Sequence, residues 1–144
     1  MSDWIGHECG IAAIRLLKPL DYYIEKYGTP MYAVNKLTLL MEKQHNRGQD
    51  GAGVASIKLD MPPGEPYIFR ARSADKNPIM NVRNRMVQAF TEARENHPAE
   101  YQDGEWVKRN VLFAGELLLG HLRYGTHGAS ANPSATPFFV RTTG

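Results

Sequence analysis

Apolar patterns along this chain change period several times without settling into a strand-helix-strand repeat, and that order limits the available folds more than any other feature. Gly10 to Leu17 is almost wholly apolar, contains Ile11 and Ile14, and stops at Lys18-Pro19, which predicts a strand buried on both faces. A tyrosine-rich stretch, Asp21 to Tyr27, and the breaker Gly28-Thr29-Pro30 follow. Ala33, Leu37, Leu40, Met41 and Gln44 then fall three or four apart, the single stripe of a helix running to about His45. Val54 to Leu59 reads as a second strand, and the turn Met61 to Pro66 returns the chain into Tyr67-Ile68-Phe69, predicting a hairpin. Asn77 and Pro78 match an N-cap and a first helical residue. Ile79, Val82, Met86, Phe90 and Ala93 supply the apolar face of a helix ending before Pro98. Tyr101 to Asn110 is polar and predicts a loop. Val111 to Ala114 and Leu117 to Leu119 are apolar runs split by Gly115-Glu116, the second leading into His121-Leu122-Arg123-Tyr124; Thr136 to Arg141 predicts a further strand. The mixture predicts an α+β chain, a layered sandwich rather than a doubly wound sheet.

A chain of 144 residues can form one domain with a core that needs no disulfide or metal staple. Its 17 Lys and Arg and 15 Asp and Glu are scattered, leaving a net charge of +2, so neither a basic block nor an acidic tail points to nucleic acid. Cys9 is the only cysteine, which excludes an internal disulfide. Met1 to Glu8 lacks the basic start and apolar stretch of a secretory signal, and no uncharged apolar run approaches the ~20 residues of a membrane span. The expectation is a soluble, cytoplasmic protein without a membrane partner.

Chemistry has three places to reside. The first is Cys9-Gly10, which by itself reads as a buried structural thiol. A cysteine that becomes the first residue of a processed chain is different, because its sulfur is a nucleophile and its α-amine, titrating near ~8 against ~8.5 for the thiol, is an adjacent base. The second is Gln44-His45-Asn46-Arg47-Gly48-Gln49-Asp50-Gly51-Ala52-Gly53. Its glycines allow close backbone approach and Arg47 with Asp50 can brace a loop, while a flexible turn is the alternative. No Gly-Lys-Ser/Thr follows, so a phosphate cradle is not supported. The third is Gly120-His121-Leu122-Arg123-Tyr124-Gly125-Thr126-His127-Gly128. A strand ending near Arg123 would present its guanidinium to a carboxylate in a two-pronged pair, with the Thr126 hydroxyl beside it; a surface arginine on a polar turn is the alternative. His7, His45, His121, His127 and Cys9 lack the close spacings of zinc sites, so no metal is expected.

Together and in this order, the three segments resemble the class II glutamine amidotransferases. Within that group the Gln-His-x-Arg-Gly-Gln-Asp loop and the Gly-His-Leu-Arg-Tyr stretch are most similar to the glutaminase domain of amidophosphoribosyltransferases, and Thr126-His127-Gly128 is closer to glucosamine-6-phosphate synthases. The resemblance spans Cys9 to about Phe139.

It implies an N-terminal-nucleophile fold, a four-layer αββα sandwich of antiparallel sheets. It implies that residues 1–8 are a leader and that 9–144 form the front part of an amidotransferase domain. Cys9 is then the catalytic residue, hydrolysing the glutamine side-chain amide to glutamate and ammonia. Arg123 matches the residue that binds the substrate α-carboxylate, and Thr126 with its neighbours Tyr124 and His127 matches the same pocket. Arg47 and Gly48 match the loop packed on the nucleophile, with Asp50 as its brace. No cofactor is implied in this segment. The implied partners are glutamine and a phosphoribosyl-transferase domain or subunit that accepts ammonia in purine synthesis, within a homo-oligomer. Two departures stand out. Asn46 is inserted where many relatives have His-Arg-Gly, and the sequence stops before the family's oxyanion segment and amine-binding aspartate, so it reads as an incomplete domain. The alternative is a non-catalytic relative, or an inactive fragment, that binds glutamine or a partner subunit.

Overall fold

The computed structural model describes residues 10–44 and 49–124. In chain order these form β1 (Gly10–Arg15), α1 (Leu20–Tyr27), α2 (Tyr32–Lys43), β2 (Gln49–Ile57), β3 (Ile68–Ser73), α3 (Pro78–Asn96), a 3₁₀ turn (Glu100–Gln102), α4 (Gly104–Asn110) and β4 (Leu117–Tyr124). The fold is α+β. All four strands join one antiparallel sheet in the order β1-β4-β2-β3, so the last strand is inserted between the first two.

Period-two alternation divides the sheet residues between its faces. Leu118, Gly120 and Leu122 of β4 and Ala52, Val54 and Ser56 of β2 are buried on the helix side. Here α2 packs on β1 and β4, α3 packs on β2 and β3, and the two helices touch each other. Leu37 and Met41 of α2 and Met86 and Phe90 of α3 are fully buried, each contributing about 1.5–3 kcal/mol relative to exposure. Gly120 makes the approach of α2 possible, because a Cβ there would lie 2.7 Å from Met41 Sδ and 3.2 Å from a Leu37 methyl. The opposite face carries Ile11, Ala13 and Arg15 of β1 beside His121, Leu119 and Leu117 of β4.

Several expectations need correction. Among the described residues the first strand is not buried on both faces: β1 lies at the edge of the described sheet, one of its faces meets α2, and Ile11 on the other is 66% exposed. The tyrosine-rich stretch, to which the sequence assigns no element, is helical as α1, ended by Gly28 in the left-handed conformation (φ 76°). Asn77 stands at the N-cap of α3 but makes no capping bond through its side chain. The polar stretch Tyr101 to Asn110 is not a loop; most of it is α4, because Asp103 Oδ1 accepts from the Glu105 and Trp106 amides at 3.0 and 3.4 Å. The Gly104 amide also donates to Asp21 Oδ1 at 2.6 Å, tying α4 to α1. By contrast α2, α3 and a β2–β3 hairpin are present as the periodicity predicts, although β2 begins at Gln49 rather than Val54 and β3 runs on to Ser73 rather than ending at Phe69. The predicted strand Thr136 to Arg141 and the leader lie outside the described residues.

Beyond β2 the chain is fastened by charge. Glu116 is held by Lys108 at 3.0 Å and accepts the Leu59 amide at 2.6 Å, while Lys108 also donates to the Leu59 carbonyl. No helix among the described residues is long and apolar enough to cross a membrane.

Candidate functional site

Strand register decides which distant segments meet. Gly10, next in sequence to Cys9, pairs with Leu122, and Ile11 pairs with His121. On the other flank of β4, Gly51 pairs with Arg123 and Gln49 with Tyr124. The three chemistry-bearing segments therefore converge, in their described parts, on one end of one sheet. Arg123 is the penultimate residue of β4, the strand-terminal position expected of it.

The glycine-rich stretch behaves differently from the loop expected. Most of its second half is already β2, because β4 supplies hydrogen-bonding partners that local sequence does not reveal. From Gln49 to Gly51 β2 advances by two residues while β4 advances by one, so Asp50 is the extra residue of a β-bulge. A bulge turns its side chain out of the regular alternation. Asp50 Oδ1 is buried and has no hydrogen-bond partner among the described residues; Arg47, with which it is expected to brace the loop, lies outside them. Gly51 and Gly53 oppose Arg123 and His121, so neither large polar side chain meets a side chain from its β2 partner.

Arg123 is half-buried, and no carboxylate among the described residues forms an ion pair with it. Such a guanidinium suits a bound carboxylate. His121, two residues earlier on the same face, is buried; burial first and the Arg123 charge second hold its pKa below the ordinary imidazole value. Below neutrality it resists protonation, leaving Arg123 as the cation of this pair.

Gln44 was legible only as part of a helical stripe and of a motif, yet its side chain has a specific place. Its amide donates to the Ile11 carbonyl at 3.0 Å, and its Oε1 occupies the space a Cβ on Gly10 would need. Gln44 thus clasps the start of β1, and Gly10 is required for that contact. The signal for both residues was their membership of the quoted segments; the signal for His121 was its alternation with Arg123.

Cys9, Arg47, Gly48, Thr126 and His127 lie outside the described residues, and Tyr124 is placed by its strand pairing alone. No group of three or more His, Cys, Asp or Glu among the described residues is arranged to hold a metal ion. No known protein family, curated protein or solved structure matches the chain.

Proposed function

We propose that this chain is the glutaminase part of a class II glutamine amidotransferase, acting in the cytoplasm and most similar to that of amidophosphoribosyltransferases. The observation that carries the proposal is the register that brings Gly10, Gly51 and Arg123 to one end of the sheet. A nucleophile preceding β1 and a carboxylate-binding arginine ending β4 are what hydrolysis of an amino-acid side-chain amide requires.

In this reading residues 1–8 are removed and the Cys9 α-amine takes the thiol proton. The sulfur attacks the glutamine carboxamide carbon, and the tetrahedral intermediate collapses with the proton passing to the departing ammonia. Water then attacks the thioester, giving glutamate and restoring the thiol. Arg123 fixes the α-carboxylate, with Thr126, Tyr124 and His127 around it, and Arg47, Gly48 and Asp50 support the nucleophile. Ammonia passes to a phosphoribosyl-transferase domain or subunit in a homo-oligomeric enzyme. The finer architecture in this reading is the four-layer N-terminal-nucleophile sandwich, whose second sheet would cover the face bearing His121 and Arg123.

The test compares glutamine with its α-carboxamide analogue, which lacks the carboxylate. The complete protein should prefer glutamine in kcat/KM by about 10- to 100-fold, and Arg123→Ala should remove most of that preference. An unchanged preference in the variant would contradict the assignment.

A further inference from the structure

The start of β1 has little of its own to hold it. Gly10 has no side chain, Ile11 is exposed, and Ala12 is the first buried residue of the strand, so apolar burial begins only at the third residue after Cys9. Pairing with Leu122 and His121 of β4 holds Gly10 and Ile11 along one side. A side chain from α2 supplies a second hold.

That side chain is Gln44, and both ends of its planar amide are used. Nε2 donates to the Ile11 carbonyl at 3.0 Å, while Oε1 fills the space beside Gly10 that a methyl group would need. The root of the side chain is anchored as well. The Gln44 backbone N–H donates to the Leu40 and Met41 carbonyls at 3.2 and 3.1 Å in the last turn of α2, and Met41 is fully buried against Gly120 of β4. Gln44 is therefore the residue through which the second chemistry-bearing segment touches the first. One hydrogen bond of this kind adds modestly to folding, but it orients the backbone next to Cys9. Orientation weighs far more in a reaction, where a displacement of about 1 Å can cost ~10²-fold in rate.

We propose that Gln44 is a positioning residue for the nucleophile, an inference that rests on the glutaminase reading above. Its amide sets the direction in which β1 presents the residue before Gly10, and so the line of attack of the Cys9 sulfur on a glutamine held through Arg123. Gln44 acts on the strand of the nucleophile and Arg123 on the substrate, so the two residues govern different kinetic constants.

Steady-state glutamine hydrolysis by the complete protein tests this, with rates expressed per matured chain as counted by intact mass. Gln44→Met keeps the length of the side chain and loses the donor; it should lower kcat about 10- to 100-fold and leave KM for glutamine within about twofold. Gly10→Ala places a methyl where Oε1 lies and should expel the amide, with a similar loss of kcat. In Gln44→Ala the amide is already gone and the space is open. Adding Gly10→Ala to Gln44→Ala should therefore cost no more than about a further twofold, a non-additivity that general damage to the fold does not produce. Gln88→Met, which removes an amide bonded to Glu92 on the exposed side of α3, should leave both constants unchanged. A wild-type chain that hydrolyses glutamine while Gln44→Met keeps its kcat, a loss confined to KM, or losses that multiply in the double variant would overturn the positioning role alone. A matured wild-type chain that does not hydrolyse glutamine would overturn the glutaminase reading and this role with it.

Discussion

Lys58 is a buried lysine facing an aromatic ring. It is 3% exposed, its ammonium sits 4.8 Å from the centre of the Phe69 ring, and burial lowers its pKa from 10.5 to about 8. Glu116 opposes that shift, but its carboxylate is already engaged by Lys108 and the Leu59 amide. The folded chain therefore releases this proton before the unfolded chain does. Between about 8 and 10.5 the unfolded state holds more protons at this position, so its contribution to stability rises with pH, by up to about 3 kcal/mol. Urea denaturation across that window should show the rise, and Lys58→Met should be more stable than wild type below it and lack this component of the slope. His121 acts on the acid side. Its depressed pKa gives a contribution fully present above the unfolded value of 6.5 and lost as pH falls through its folded value. His121→Gln should therefore flatten the stability profile below 6.5 in the same assay. At Gly120 the constraint is steric: Gly120→Ala forces a Cβ against Met41 and Leu37 and should cost about 1–3 kcal/mol in denaturant melts.

Elements differ in how openly the sequence announces them, and the reason is where their stabilising partners lie. The apolar stripe of α2 and the Pro78 start and long apolar face of α3 are carried within the elements themselves, so periodicity finds both. The short α4 has little stripe of its own; its start rests on the Asp103 cap and on a bond from Gly104 to Asp21, far away in sequence. Asp103→Ala should lower stability by about 1 kcal/mol, with the loss of helical signal centred on α4 in amide-exchange measurements. The beginning of β2 was hidden for a related reason. Glycines weaken a strand considered alone, and here the pairing of β2 with β4 outweighs that preference. At the candidate site the position of Arg123 at a strand end was legible, because an apolar run leads directly to it. The Asp50 bulge was not, since a bulge exists only relative to the partner strand.

At the scale of the whole molecule, insertion of β4 between β1 and β2 is what assembles the candidate site. Neither β1 nor β2 touches the other's chemistry without it, so site formation is tied to the longest-range pairing of the described sheet rather than to any local element. The function proposed for that assembly depends on Cys9 reacting as a chain-terminal thiol with a ligand recognised by Arg123. The most direct measurement is intact-mass analysis of the complete, matured protein after exposure to a glutamine-like diazoketone. The account predicts loss of residues 1–8, one adduct on Cys9, protection by excess glutamine, and labelling slowed about 10- to 100-fold in Arg123→Ala. A matured chain that remains unlabelled, or whose labelling is indifferent to glutamine, would contradict it.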